Sequence, residues 1–125
     1  MISVFDKNVS EAEFQRSALK YLWHHPKVAW VARMNTGAKG RIKFGFPGLS
    51  DIIGQTRDGK FIAIELKRLI IQKKGYKVTQ ATTEQVDFIE KININGGYAG
   101  IAVDIDDINH ILDANYELTK SYKNA

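Results

Sequence analysis

The chain has 125 residues, of which 44% are hydrophobic and 26% are charged, and its net charge is +4. This length and composition are typical of one globular domain, with a core at about residues 10–114 and a polar tail at residues 115–125. The absence of cysteine excludes disulfides and thiolate zinc sites, and because no membrane-length apolar run or signal-peptide pattern occurs, we expect a cytoplasmic location.

The first half of the chain predicts one helix followed by three strands. SEAEFQRSALKYLWHH predicts a helix with Ser10 as its N-cap and an apolar stripe at every third or fourth position. KVAWVARMN predicts a strand, residues 36–48 predict a glycine-rich basic loop, and two more strands are expected near residues 51–56 and 60–67. The Lys-rich residues 68–81 are expected to be irregular.

The second half predicts two helices and one strand. TTEQVDFIEKININGG indicates a helix, because Thr82 and Gln85 have the spacing of a capping box and Gly96-Gly97 ends the pattern. YAGIAVD predicts a short buried strand, and residues 107–114 are expected to form the last helix. The order α-β-β-β-α-β-α predicts an α/β fold with a central mixed β-sheet flanked by helices.

Positive charge is concentrated in the middle of the chain. Residues 14–83 contain 14 Lys and Arg against three acids, a net charge of +11, whereas residues 84–125 contain three Lys against eight acids, a net charge of −5. A basic region of this size favours a polyanionic partner such as nucleic acid, because clustered Lys and Arg release counterions from phosphates. A solvated basic surface without a partner is the alternative.

The predicted strand pair carries three charged residues, although charged side chains are normally excluded from a buried sheet. Glu65 and Lys67 are two residues apart, so they project from one face of a strand. Whether Asp51 joins them depends on the length of the turn that links the two strands.

A two-residue turn at Asp58-Gly59 places Asp51 opposite Leu66, and the two carboxylates then lie on different faces. A three-residue turn, which begins at Arg57, places Asp51 opposite Glu65 and keeps the isoleucines together on the other face. We predict the three-residue turn, because a slip of one residue would bury charges among isoleucines.

Two facing carboxylates repel each other unless a positive charge lies between them. Lys67 supplies part of that charge, and a divalent cation supplies more, since oxygen ligands of this kind suit Mg²⁺ or Mn²⁺. The alternative is that these three charges form buried salt bridges whose only role is to hold the sheet together.

These residues resemble the PD-(D/E)XK nuclease superfamily, and within it the chain is similar to small stand-alone VRR-NUC domains of phages and bacteria. The resemblance covers most of residues 10–112 and is carried by RMNTG at 33–37, FPGLSDIIG at 46–54, FIAIELKR at 61–68, TTEQVDFIEKININGG at 82–97 and GIAV at 100–103. The Lys-rich insert IIQKKGYKVTQA after Arg68 departs from the family pattern. The resemblance implies a restriction-endonuclease-like fold.

The resemblance also implies site residues. Asp51, Glu65 and the Leu66 carbonyl are expected to bind Mg²⁺ or Mn²⁺, and Lys67 is expected to orient or deprotonate the attacking water. The family places a further glutamate on the first helix. We assign this role to Glu11, whose spacing from Phe14 and Ala18 predicts the inward stripe, rather than to Glu13. Gln85 matches the family's glutamine, and its capping-box role is compatible with this.

Ten residues are candidates for nucleic-acid contacts. They are polar or basic, and several are spaced by two among glycines or grouped in the insert: Arg33, Asn35, Lys39, Arg41, Lys43, Ser50, Arg68, Lys73, Lys74 and Lys77.

The expected function is therefore a metal-dependent endonuclease that hydrolyses DNA phosphodiester bonds. Branched DNA such as Holliday junctions or flaps is the expected substrate, and a homodimer is the expected assembly. If the chain is encoded by a phage, the expected location is the cytoplasm of the bacterial host cell. No membrane partner and no cofactor beyond the metal are expected. The alternatives are a catalytically silent nucleic-acid-binding or assembly module of the same fold, and an RNA-processing nuclease.

Overall fold

The computed structural model describes residues 10–34, 45–72, 75–78 and 80–113, with residues 69–72 and 75–78 described by their backbone alone. Three helices and six strands occur in these ranges: α1 Glu11–Trp23, β1 Val28–Arg33, β2 Ile52–Thr56, β3 Phe61–Leu66, β4 Leu69–Gln72, β5 Gly75–Val78, α2 Thr83–Ile94, β6 Tyr98–Ala102 and α3 Ile105–Leu112. None of the described helices is long and apolar enough to cross a membrane.

The main sheet has four strands in the order β1-β2-β3-β6. The pairs β1–β2 and β2–β3 are antiparallel, and β3–β6 is parallel, so the sheet is mixed. The parallel pair requires a crossover connection, which α2 supplies. The prediction of an α/β fold with a mixed sheet flanked by helices is confirmed at this level.

Two hydrophobic clusters cover the two faces of the sheet. On one face, α1 and α3 pack against the isoleucine side of the hairpin, where Ile52, Ile62 and Ile64 are buried with Phe14 and Leu22. On the other face, α2 packs through its two buried residues against three sheet residues, and this smaller cluster contains Val86, Ile89, Ala63, Ala99 and Ile101. Glu65 lies two residues after Ala63 on β3, so its side chain projects from the same α2 face.

The expectation that residues 68–81 are irregular is wrong in its main part. Strands β4 and β5 form a separate two-stranded antiparallel sheet, in which Leu69 pairs with Val78 and Gln72 pairs with Gly75. The branched and aromatic residues on each side of the sequence Lys73-Lys74 favour strands.

The last helix begins two residues earlier than predicted. The Asp104 side chain accepts a hydrogen bond from the Asp107 N–H at 2.9 Å, so Asp104 is the N-cap and Ile105 the first helical residue. Because Ile105 is buried, starting the helix here places one more apolar side chain in the core.

Candidate active site

The turn between β2 and β3 has three residues, as predicted. The Thr56 N–H donates to the Lys60 carbonyl at 2.8 Å, which leaves Arg57, Asp58 and Gly59 as the loop. Gly59 has a φ of 89°, a conformation that glycine adopts without steric cost. The observed register pairs Ile52 with Ile64, so the predicted register is confirmed.

This register brings Asp51 to Glu65. Asp51 directly precedes Ile52 and Glu65 directly follows Ile64, so the two carboxylates lie across from each other at the end of the hairpin. The Leu66 N–H donates a hydrogen bond of 2.8 Å to Oδ2 of Asp51, which holds that side chain against β3. The predicted meeting of the two carboxylates therefore occurs.

Glu65 is almost completely buried, with 4% of its surface exposed. Its Oε2 receives the Lys67 ammonium at 3.4 Å and a hydrogen bond from the Gln85 side-chain amide at 3.0 Å. Its Oε1 is buried and accepts no hydrogen bond from any residue that the structure describes. A buried oxygen without a donor is costly, so this atom indicates a missing partner.

The environment of Glu65 disfavours its charged form. Burial and the charge of Asp51 raise the pKa of Glu65 to about 8, although Lys67 acts in the opposite direction. At neutral pH the pair thus lacks enough positive charge to be fully ionised.

These donors fit a small divalent cation. Two carboxylates and the Leu66 carbonyl are hard oxygen ligands, and Mg²⁺ is commonly held in proteins by one or two carboxylates, with waters and phosphate oxygens completing its shell. The unpaired Oε1 of Glu65 is the structural observation in favour of a cation at this position.

Glu11 does not join the two carboxylates. It lies in the exposed first turn of α1, so its predicted place on the inward stripe is wrong, and Glu13 is exposed as well. The buried residues of α1 pack on one face of the sheet, and Glu65 projects from the other face. Among the described ranges, no three His, Cys, Asp or Glu side chains are grouped so that they could hold a metal ion.

Gln85 completes the predicted capping box and also contacts Glu65. Its side-chain oxygen accepts a hydrogen bond from the Thr82 backbone N–H at 2.9 Å, and its backbone N–H donates to the Thr82 hydroxyl at 3.1 Å. These two bonds complete a capping box. The other end of the same amide donates to Glu65. The start of α2 is therefore joined directly to the buried carboxylate.

The Pro-Gly turn before Asp51 is fixed against α2. The Leu49 N–H donates to the Phe46 carbonyl at 3.1 Å, and Gly48 has a φ of 91°, so residues 46–49 form a turn that requires glycine. A Cβ on Gly48 would lie 2.3 Å from the backbone carbonyl oxygen of Glu84. The ring of Phe46 packs edge-to-face on Phe88 of α2, with 5.2 Å between ring centroids.

Sequence reasoning missed the contacts of Phe46, Gly48 and Phe88. The Pro-Gly dipeptide signalled a turn, but a turn signal does not show which element the turn packs against. Only the tertiary structure shows that α2 supports both strands of the hairpin.

The predicted nucleic-acid contacts divide into three groups. Arg33 and Arg68 are exposed at the ends of β1 and β3. Ser50 is fully buried and its hydroxyl has no partner among the described residues, so the prediction that it faces nucleic acid is wrong in this conformation. Lys77 lies in β5 and is described by its backbone alone, and six residues lie outside the described ranges: Asn35, Lys39, Arg41, Lys43, Lys73 and Lys74.

Comparison of the chain with protein-family models, with curated proteins and with solved structures gave no match. The VRR-NUC resemblance and the finer restriction-endonuclease-like fold therefore stay predictions.

Proposed function

We propose that this protein is a Mg²⁺- or Mn²⁺-dependent endonuclease that hydrolyses DNA phosphodiester bonds at the Asp51–Glu65–Lys67 site. One observation carries the proposal: the hairpin register gathers these three side chains, and it leaves Oε1 of Glu65 buried without a donor among the residues that the structure describes. A charged group of this kind stabilises a fold poorly, because the cost of burial offsets the attraction. Its presence in a sheet is better explained by chemistry.

Asp51 and Glu65 would hold the cation together with the Leu66 carbonyl. When bound, the cation polarises a phosphate oxygen and lowers the pKa of a water molecule. The bond from the Leu66 N–H fixes the direction of the Asp51 carboxylate, and Gln85 fixes that of Glu65. The protein thus supplies two carboxylates whose orientation is set before any ligand arrives.

Lys67 supplies a positive charge beside the same site. Its side chain is 14% exposed, and its ammonium lies 3.4 Å from Glu65. An ammonium group in a largely buried position stabilises negative charge more strongly than it does in water. In the proposed reaction it orients the attacking water and offsets the charge that develops on the phosphate.

DNA is the proposed substrate class because the central residues 14–83 carry a net charge of +11. A branched substrate and a homodimer remain part of the proposal on the resemblance alone. An RNA substrate differs only in a 2′-hydroxyl, and a panel that includes RNA separates the two polymers.

A nucleic-acid-binding module without hydrolysis is the second candidate function. It is favoured by the absence of a third His, Cys, Asp or Glu near the carboxylate pair in the described part of the chain. It is also compatible with the ion pair that already joins Lys67 to Glu65.

A cleavage panel tests the proposal. Single-stranded, duplex, flap and four-way-junction DNA, with matched RNA, are incubated with Mg²⁺, Mn²⁺ or EDTA. We expect metal-dependent cleavage of DNA, which falls on the order of 10²-fold or more in Lys67→Ala, as for other groups that stabilise charge in a transition state.

The control is Lys91→Ala, which removes an exposed lysine from the last turn of α2 and should leave cleavage unchanged. Undiminished cleavage by Lys67→Ala, or cleavage in EDTA, contradicts the proposed chemistry. Binding of DNA without cleavage in either metal favours the silent module.

A further inference from the structure

Phe46 is a large apolar side chain that the fold leaves open to solvent. It is 51% exposed, although it belongs to the turn that leads into Asp51. An isolated exposed hydrophobic residue is common on protein surfaces. The position of Phe46 is notable because three separate contacts hold its turn in place.

The first contact is internal to the turn. Pro47 and Gly48 occupy the two central positions, and the turn is closed by the bond from the Leu49 N–H to the Phe46 carbonyl. Because Pro47 has a restricted φ and Gly48 adopts a positive φ, this backbone has little freedom.

The other two contacts attach the turn to α2. Gly48 lies so close to the carbonyl of Glu84 that a side chain at this position would overlap with it. The Phe46 ring packs at 67° on Phe88, which restrains the ring while half of its surface remains exposed. Phe46 is therefore a fixed, solvent-facing aromatic ring.

The α2 helix also relates this ring to the carboxylate site. Gln85 donates to Glu65 and Phe88 supports Phe46, and these two helix residues are three positions apart. Residues at this spacing are neighbours on one side of a helix, with about 5–6 Å between their Cβ atoms. The helix residue that supports the exposed ring thus lies about one helical turn from the helix residue that contacts Glu65.

We propose that Phe46 stacks against an unpaired base of the DNA beside the phosphate that is cleaved. This inference rests on the proposed nuclease function and names its substrate class: DNA with at least one unstacked base next to the scissile bond. Bases inside a regular duplex present their faces to each other, so a side chain reaches such a face only where the base is unpaired or flipped out. Stacking on an aromatic ring tolerates all bases, because each has a π-face.

Bulged DNA with and without bases tests this inference. One duplex carries a short bulge of unpaired thymines, and its partner carries the same bulge built from abasic nucleotides, so both share the flexible backbone. We expect wild type to cleave the thymine bulge roughly tenfold faster than the abasic bulge, within the range measured for base–aromatic stacking. The ratio of the two rates is the readout, and it does not depend on overall activity.

Three variants assign that ratio to the ring. Phe46→Ala and Phe46→Leu should lower the ratio to about one, whereas Phe46→Trp should retain it. Phe46→Leu keeps apolar volume against Phe88, so it separates stacking from loss of packing. Phe61→Ala is the matched control, since Phe61 is also an exposed phenylalanine, 37% exposed, and lies four residues from Glu65 at the other end of β3.

An unchanged ratio in Phe46→Ala and Phe46→Leu overturns the inference while the nuclease function stands. If no substrate is cleaved, the same ratio is measured from equilibrium binding of the two bulges in EDTA. Binding with the expected ratio supports the stacking role although hydrolysis fails. Absence of both binding and cleavage contradicts the proposed function and this inference together.

Discussion

Glu65 has the most unusual environment of the described side chains in this site. Its carboxylate is buried beside Asp51, and the nearest positive charge, Lys67, reaches only one of its two oxygens. Such a group is ionised at neutral pH only if a further positive charge is present. This makes the protonation of Glu65 a property that can be measured without any substrate.

The pKa of Glu65 leads to a prediction about stability in the absence of metal. Its pKa is about 8 in the folded protein and close to 4.5 in the unfolded chain. Between these values the folded state holds a proton that the unfolded state has lost, so the stabilisation is complete below pH 4.5 and disappears as the pH rises through 8. Within this window the free energy of unfolding should fall by about 1.4 kcal/mol per pH unit, a few kcal/mol in total.

Urea denaturation in EDTA at several pH values measures this slope, with Glu65→Gln as the control. The variant keeps the shape of the side chain but does not titrate, so subtracting its curve removes the contributions of other groups. Among these is His25, whose pKa is lowered by burial and by the charge of Lys27. Equal slopes for wild type and Glu65→Gln would show that Glu65 is not protonated in the folded protein.

At this scale, the sequence predicted the residues whose positions follow from strand alternation. Asp51, Glu65 and Lys67 follow from the register, and the register follows from keeping isoleucines on one face. Glu11 was placed wrongly because spacing along a helix does not show where the core ends, and Ser50 was taken as a surface residue because it is polar. In the structure the first turn of α1 is exposed to solvent, whereas Ser50 is buried.

The α2 helix is the element that connects the parts of the site. Its first turn contacts Gly48 through the Glu84 backbone and Glu65 through Gln85, while Phe88 supports Phe46. The turn that carries Asp51 and the strand that carries Glu65 are therefore held by one helix. We expect changes at this junction to reduce activity through the relative position of the two carboxylates.

Gly48→Ala tests this junction, and Gly96→Ala is its matched control. Both glycines have a positive φ near 90°, so alanine costs each of them on the order of 1 kcal/mol. A Cβ at Gly96 meets nothing within 4 Å, whereas one at Gly48 overlaps with the Glu84 carbonyl. Gly48→Ala should therefore be the more destabilising variant in chemical denaturation and the only one that reduces cleavage; similar losses in both variants would argue against the close contact.

The capping box allows a second comparison within α2. Thr82→Ala removes one hydrogen bond at the helix start and should cost about 1 kcal/mol of stability. Gln85→Ala removes the reciprocal cap and also the donor to Glu65. We expect Gln85→Ala to be the less stable variant, because a buried carboxylate loses its donor, and to cleave roughly tenfold more slowly than Thr82→Ala, because the direction of the Glu65 carboxylate is no longer fixed.

Cleavage rates of Thr82→Ala and Gln85→Ala, measured under the same conditions, decide this point. Equal rates would mean that Gln85 acts only as a helix cap.

Elements with strong local signals were predictable from the sequence. Ser10 and Thr82 mark the starts of α1 and α2, and Gly59 marks the three-residue turn. The pair β4–β5 was missed because its lysines obscured the strand pattern. The start of α3 was predicted two residues too late because the acidic residues at 104, 106 and 107 each suit a helix N-terminus.

For the whole molecule, the distribution of charge predicts how binding depends on salt. The basic residues 14–83 include the whole β2–β3 hairpin, so positive charge accompanies the candidate site. If several of these residues contact phosphates, the logarithm of DNA affinity should fall with the logarithm of salt concentration by about 0.9 for each contact. We expect a slope of about −3 or steeper in fluorescence anisotropy; a slope shallower than about −1 would contradict a basic nucleic-acid surface.

The arrangement of layers explains how a small domain can place a charged site in a sheet. Helices α1 and α3 bury one face through the larger cluster, so the fold does not depend on the α2 face alone. Among the described residues, five are buried in the cluster on the α2 face, and Glu65 projects from this face near the end of β3. The larger core thus tolerates the unfavourable burial of a carboxylate on the opposite face.

The central claim is that Asp51 and Glu65 form a divalent-cation site, and titration of the metal-free protein with Mn²⁺ in a calorimeter tests it most directly. We expect saturable binding to wild type at pH 7.5 and release of protons in proportion to those held by Glu65. Glu65→Gln should lose this binding, while Glu84→Gln, which changes an exposed glutamate in the first turn of α2, should retain it. Absence of Mn²⁺ binding to wild type, or equal binding to wild type and Glu65→Gln, would contradict the claim.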